Sequence, residues 1–224
     1  MTRPKFDSVL FDLGGTLTDS LPGIARSIQH VLRILGAGAT AIPSEDDLRW
    51  CVGPPLRDLF QRLLITTDQS VIQKAVELYI ERYERIGFRE SRVFPGAPEM
   101  LAAVATNRRL ILVTSKLTES AEKVLAEFSL RKYFDGVYGT DHHGKPSDKS
   151  ELVQTAMKNH QCQPATTAIV GDRHHDIAAG KTNGLYAIGV TYGYGTRKEL
   201  STANADQICT TPAEVTAAIN ALTP

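Results

Sequence analysis

Four short apolar runs punctuate the chain: Val9-Leu10-Phe11, Leu110-Ile111-Leu112-Val113, Ala168-Ile169-Val170 and Ala187-Ile188-Gly189-Val190. None shows the polar alternation of a strand with one wet face. A strand that is apolar on both faces must be covered on both, and such runs, separated by helical patterns, imply parallel strands in a doubly wound α/β sheet. A weaker run, Gly136-Val137-Tyr138, supplies one more strand. Ligands of these sheets bind outside the carboxyl ends of the strands, so the polar residues found there are the first candidates for a site.

Between Asp19 and about Pro95 the strand signal gives way to helical periodicity. Ile24, Ile28, Val31, Leu32 and Leu35 share one face of a helix opened by Asp19 or Ser20, with Pro22 in its first turn. Val71, Ala75, Val76, Tyr79, Ile80 and Tyr83 make a second stripe, and Ser44-Glu45-Asp46-Asp47 and Pro54-Pro55 open shorter helices between the two. The expected division is an α/β core formed by residues 1–18 and 95–224 and an inserted helical cap over 19–94. Hinge segments near Thr18 to Ser20 and Val93 to Gly96 would let the cap open and close.

With 224 residues, 42% of them hydrophobic, the chain can bury a full core beside a small second domain. A formal net charge of +0 gives no global field to attract a nucleic-acid polymer or an anionic membrane, so an anionic ligand must be held by local groups. Cys51, Cys162 and Cys209 are odd in number and widely spaced, which argues for reduced packing residues. The start carries no apolar signal segment, and no stretch is long enough to span a bilayer. The expectation is a cytoplasmic protein, monomeric by default, with a dimer left open.

The polar strand ends are complementary. Phe11-Asp12-Leu13-Gly14-Gly15-Thr16-Leu17-Thr18-Asp19-Ser20 follows the first run and places an aspartate on a glycine loop. Thr114-Ser115-Lys116 follows the second and offers a hydroxyl, backbone donors and a cation. Gly171-Asp172-Arg173-His174-His175-Asp176 offers two carboxylates four residues apart, expected on one face of a helix's first turn. Lys149 opens a helix at Ser147-Asp148-Lys149-Ser150-Glu151, in which Asp148 and Glu151 have capping-box spacing. Asp172 and Asp176 also have a purely structural reading, as caps and favourable dipole charges.

Nucleophilic carboxylate, hydroxyl, lysine and paired acids in this chain order resemble the four motifs of the haloacid dehalogenase superfamily of hydrolases, and the resemblance covers nearly the whole chain. Gly53-Pro54-Pro55-Leu56, Phe94-Pro95-Gly96 and Thr191-Tyr192-Gly193-Tyr194-Gly195 add a resemblance to its 5′-nucleotidase or phosphoglycolate phosphatase-like branch. The resemblance implies a Mg²⁺-dependent hydrolase acting on a small phosphorylated metabolite. Asp12 would attack phosphorus and form an aspartyl-phosphate. Asp12, the Gly14 carbonyl, Asp172 and Asp176 would serve the metal, while Thr114 and Lys149 would meet phosphate oxygens with the amides of Gly15 and Ser115. Lys116 would support phosphate binding or make a surface contact, and Arg49 and Arg57 of the cap are candidate substrate contacts with a solvated helix face as the alternative. Lys145, in a Lys-Pro pair, competes with Lys149 for the phosphate role, and spacing and helix position favour Lys149. His174 and His175 are read as structural or as supports of the neighbouring acids, because imidazole suits transition metals better than Mg²⁺.

One position departs from the family's phosphatases, which carry a second aspartate where this chain has Gly14. That aspartate protonates the leaving oxygen and later activates water, work that contributes roughly 10²–10⁴-fold. Three readings follow: a phosphatase slowed at this step, a pseudoenzyme that binds a phosphorylated metabolite without turnover, and a phosphonatase using Lys74, the single cap lysine, as a Schiff base.

Overall fold

The computed structural model describes residues 6–36, 38, 42–141 and 148–221. In chain order the strands are β1 (Ser8–Phe11), β2 (Thr18–Asp19), β3 (Arg92–Val93), β4 (Arg109–Leu117), β5 (Gly136–Thr140), β6 (Thr167–Gly171), β7 (Tyr186–Val190) and β8 (Gln207–Cys209). The helices are α1 (Leu21–Ile34), α2 (Leu56–Leu64), α3 (Gln69–Arg85), α4 (Ala97–Ala105), α5 (Thr118–Glu127), α6 (Lys149–His160), α7 (His174–Thr182), α8 (Arg197–Thr202) and α9 (Pro212–Ala221).

Six strands make one parallel sheet in the order β5-β4-β1-β6-β7-β8. Every residue of β1 and of β6 is buried, as the uninterrupted apolar runs require of strands covered on both faces. Leu10, Ile111, Val113, Ile169 and Ala187 join Val153, Ala156 and Ile177 from α6 and α7 in one apolar cluster. The sheet is thus the expected doubly wound core. β8, a three-residue strand at the sheet's end, has no counterpart among the apolar runs.

β4 differs instructively from its reading. Its regular pairing with β5 ends at Val113 opposite Tyr138, and the register then shifts before Leu117 meets Thr140. Thr114, Ser115 and Lys116 therefore lie inside a distorted continuation of the strand, which turns the Thr114 side chain inward while Ser115 is exposed.

The chain divides into two compact units, Met1–Asp19 with Val93–Pro224 and Ser20–Arg92. In the helical unit α1 buries Ile24, Ile28, Val31 and Leu32 as its periodicity predicts, while Leu35 stays partly exposed beyond the helix end. On α3 the buried stripe is Ile72, Ala75, Tyr79 and Tyr83, so Ile72 takes the place expected of Val71. Gly23 on α1 sits against the backbone of Gly87: a Cβ there would lie 2.0 Å from the Gly87 carbonyl oxygen, so the approach needs glycine. Trp50 lies under the Arg62 guanidinium, 4.1 Å from the ring centroid, within this unit. Cys51, Cys162 and Cys209 are buried thiols.

Candidate active site

Asp12 immediately follows β1, and its N–H donates to the Val170 carbonyl of β6 at 3.0 Å. The loop then closes on itself: Leu17 and Thr18 donate their N–H groups to the Leu13 carbonyl at 2.9 and 3.0 Å, and Gly15 N–H donates to the Thr18 carbonyl at 2.8 Å. Gly15 has φ +93°, the left-handed region that favours glycine. Its amide, the one expected to face phosphate, donates within the loop.

The second acid pair is assembled differently from the helical face expected of it. Asp172 precedes α7, whose N-cap is Arg173, and only Asp176 lies in the helix's first turn. Asp176 Oδ2 accepts the Arg173 N–H at 2.9 Å, so this carboxylate does cap the helix. Its other oxygen, Oδ1, meets the Lys149 ammonium. The capping and functional readings of Asp176 thus coexist on its two oxygens. Gly171 permits this fold-back, since a Cβ there would lie 2.2 Å from the Asp176 side chain.

Lys149 reaches the same place from the first turn of α6, whose N-cap Asp148 accepts the Ser150 N–H at 3.1 Å. Its ammonium lies 2.5 Å from Asp12 Oδ1 and bridges to Asp176. Asp12, Asp172 and Asp176 each present a carboxylate oxygen, all within 4.8 Å of one another. Their exposures are 7%, 0% and 1%, and Lys149 is 6% exposed. Thr114, 3% exposed, stands just beyond the stretch of β4 that pairs with β1, its hydroxyl accepting the Lys116 N–H at 3.3 Å.

Three buried carboxylates against one ammonium leave an excess of negative charge. Burial, with the charge of Asp176 adding to it, pushes the Asp12 carboxyl up to about 6 although Lys149 pulls the other way. Burial, then Asp176 and Asp12, holds Asp172 well above the ordinary carboxylate range. For Lys149 burial acts downward, yet Asp12 and Asp176 outweigh it and keep the ammonium above its usual value. Asp172 Oδ1 is buried and has no hydrogen-bond partner among the described residues. An orphaned carboxylate oxygen beside two more acids is a poor place for a polar atom and a good one for a cation, and an all-oxygen donor set suits a hard divalent ion. The residues present therefore fit Mg²⁺.

The other expected site residues are distributed as follows. Gly14 is half-buried and bridges to Thr18. Lys116 is half-buried on the distorted part of β4. Arg49 and Arg57 belong to the helical unit: Arg49 is exposed, and Arg57 donates to Gln73 and Gln69 at 2.7 and 2.8 Å, which ties α2 to α3. Lys74, the lysine required by the phosphonatase reading, is exposed on α3. Lys145 lies outside the described residues. His174 Nδ1 pairs with Glu199 Oε1 at 2.8 Å, and His175 Nδ1 with His174 Nε2 at 3.1 Å. Glu199 also accepts the His174 N–H and the Arg173 guanidinium, at 3.0 and 2.8 Å, so this cluster secures the start of α7.

Sequence reasoning gave no role to the loop after β7. Tyr194 N–H donates to Asp172 Oδ2 at 2.7 Å, the Tyr194 hydroxyl to Asp19 at 2.7 Å, and the Tyr192 hydroxyl to the Thr16 carbonyl at 3.0 Å. The available signal was two glycines alternating with two tyrosines directly after an apolar run.

Residues 9–190 match the family model described as haloacid dehalogenase-like hydrolase. A 5′-nucleotidase of Pseudomonas aeruginosa is 34% identical over 206 residues, which are 92% of this chain and 91% of the relative. A probable phosphatase of Dickeya dadantii, IndB, is 36% identical over 220 residues, 96% of this chain and 94% of the relative. The crystal structure of a predicted phosphatase from Clostridium acetobutylicum superposes with a TM-score of 0.87 at 31% identity, over 97% of this chain and 99% of that one. By sequence and by fold, the chain belongs to the haloacid dehalogenase-like hydrolases.

Proposed function

We propose that this hydrolase is a Mg²⁺-dependent phosphomonoesterase acting on a small phosphorylated metabolite through an aspartyl-phosphate on Asp12. The observation that carries the reading is the buried constellation itself: Lys149 bridging Asp12 and Asp176, with Asp172 Oδ1 left unpartnered beside them. The relatives named 5′-nucleotidase and phosphatase support the same reaction class.

Asp12 is the nucleophile, attacking phosphorus in line, and water later releases phosphate from the aspartyl group. Lys149 holds Asp12 in place and neutralises phosphate oxygens, with the Thr114 hydroxyl as a further donor. Asp12, the Gly14 carbonyl, Asp172 and Asp176 would hold the cation. Once bound, it would supply positive charge against the oxygens of the transferring group. Gly14 offers no side chain to protonate the leaving oxygen, so substrates with good leaving groups are favoured. Gly14 also supports a second reading, a phosphometabolite-binding protein without turnover.

The test is phosphate release by the purified protein from nucleotides, phosphoglycolate, sugar phosphates and an aryl phosphate, with and without Mg²⁺. Mg²⁺-dependent release, fastest on the aryl ester, is expected. Calorimetric binding of a phosphorylated compound with no release from any of them would select the second reading.

Proton competition provides a further check. The Asp12 carboxyl rises from 3.8 to about 6, so between these values the folded state binds more protons than the unfolded. Metal-free protein consequently loses stability as pH rises through that window, and the raised Asp172 extends the loss upward. A cation that displaces those protons reverses the loss. The Mg²⁺-induced increase in Tm should be near zero at pH 5 and reach several degrees at pH 7.5, since each 1 kcal/mol is worth about 2–4 °C in a chain of this size. An increase equal at both pH values would place the cation away from these acids.

A further inference from the structure

Resting on the metal reading above, we propose that the loop Thr191–Gly195 positions Asp172 for the cation, and that the Tyr194 hydroxyl, through its bond to Asp19, fixes that position.

A carboxylate at a strand end can rotate about two bonds, and a metal ligand must present one oxygen in one direction. Asp172 meets this demand asymmetrically. Its Oδ2 accepts the Tyr194 N–H at 2.7 Å, while its Oδ1 is buried without a hydrogen-bond partner among the described residues. One oxygen is thus anchored and the other left for coordination. The side chain is also confined between two loops. A Cβ on Gly15 would lie 2.2 Å from Asp172 Oδ2, and one on Gly193 would lie 2.6 Å from the same atom and 2.1 Å from the Gly15 carbonyl oxygen. On Gly195 a Cβ would lie 1.8 Å from the Asp172 carbonyl oxygen. No side chain fits at any of these positions without moving backbone or the acid.

Backbone pressed this close has to be held there, and the two tyrosines do so. Tyr194 donates its hydroxyl to Asp19 Oδ1 at 2.7 Å, and Tyr192 donates to the Thr16 carbonyl at 3.0 Å, with Phe94 edge-on to the Tyr192 ring at 5.3 Å. Both tethers end on the segment that begins with Asp12. Tyr194 accordingly spans two functions in one residue: its N–H orients an acid that follows β6, and its hydroxyl ties that N–H to Asp19 on β2. Partners that orient metal ligands typically alter metal affinity about 10–100-fold when removed.

The experiment compares the native chain, Tyr194→Phe, Tyr192→Phe and Asp172→Asn by Mg²⁺ titration calorimetry, by thermal unfolding without metal, and by Mg²⁺ dependence of turnover. Tyr194→Phe keeps the backbone donor and removes the hydroxyl that forms the tether. It should bind Mg²⁺ about 10–100-fold more weakly, melt within a few degrees of the native chain without metal, and recover native kcat at saturating Mg²⁺. Tyr192→Phe should weaken Mg²⁺ in the same sense, which preserves the test if Tyr194→Phe folds poorly. Native affinity in both tyrosine variants, with Asp172→Asn unable to bind, overturns the positioning proposal and leaves the metal reading intact. A kcat that stays low at saturating Mg²⁺ also overturns it, because the defect would then lie outside cation binding. Equal Mg²⁺ binding by the native chain and Asp172→Asn removes both.

Discussion

Asp12→Asn is expected to lower phosphate release by roughly 10⁴-fold or more, because an amide is nearly isosteric with the carboxylate but cannot act as the nucleophile. Its effect on stability should be opposite in kind. Burial and the neighbouring acid raise the Asp12 carboxyl to about 6, so at neutral pH the fold carries the cost of an ionised group that it disfavours. Asparagine removes that cost, while Lys149 keeps Asp176 as a partner. Metal-free Asp12→Asn should therefore melt at or slightly above the native temperature, the usual trade between a destabilised site and its activity. Calorimetric unfolding and a phosphate-release assay on the same preparation check both halves. Turnover above about a hundredth of native would dismiss Asp12 as nucleophile.

Gly14→Asp should move activity the other way, by roughly 10²–10⁴-fold on alkyl phosphates, the contribution of a positioned acid/base group. Gly14 is not among the glycines with positive φ, so an aspartate can take this backbone without left-handed strain. The gain should shrink for an aryl phosphate, whose leaving oxygen needs little protonation. Parallel kcat measurements on the two ester types, with Mg²⁺ affinity measured separately, make the comparison. An unchanged alkyl rate alongside unchanged Mg²⁺ binding would show that the missing aspartate does not limit turnover.

The chain announces its core and most of its polar centre, for a physical reason. Strands covered on both faces leave uninterrupted apolar runs, so β1, β4, β6 and β7 could be read directly; strand-end chemistry pointed to Asp12, Asp172 and Asp176, and a helix start to Lys149. Elements without such a burden were harder to see. β8 is three residues long with one strongly apolar member, Ile208, and α3 buries Ile72 where periodicity alone favoured Val71. The convergence of Asp172 and Asp176 was foreseen, yet its cause was not: a turn before α7 supplies it in place of a shared helix face. Gly15 shows the limit most clearly. Its amide was assigned to phosphate by resemblance, whereas its hydrogen bond to Thr18 is a property of one loop conformation. The role of Tyr194 depends on a long-range bond to Asp19, which no local pattern encodes.

The central place of β1 also governs how the chain can acquire its structure. β1 is synthesised well ahead of its two sheet neighbours, Arg109–Leu117 and Thr167–Gly171, which emerge only after the whole helical unit. Until then the apolar segment Val9-Leu10-Phe11 has no partner on either edge, while α1 and α3 can already pack against each other. Pairings of such large sequence separation form slowly and leave unpaired edges exposed to association in the meantime. Asp12 is thus carried by the segment that waits longest for its surroundings, and the acid cluster cannot come together before β6 has docked.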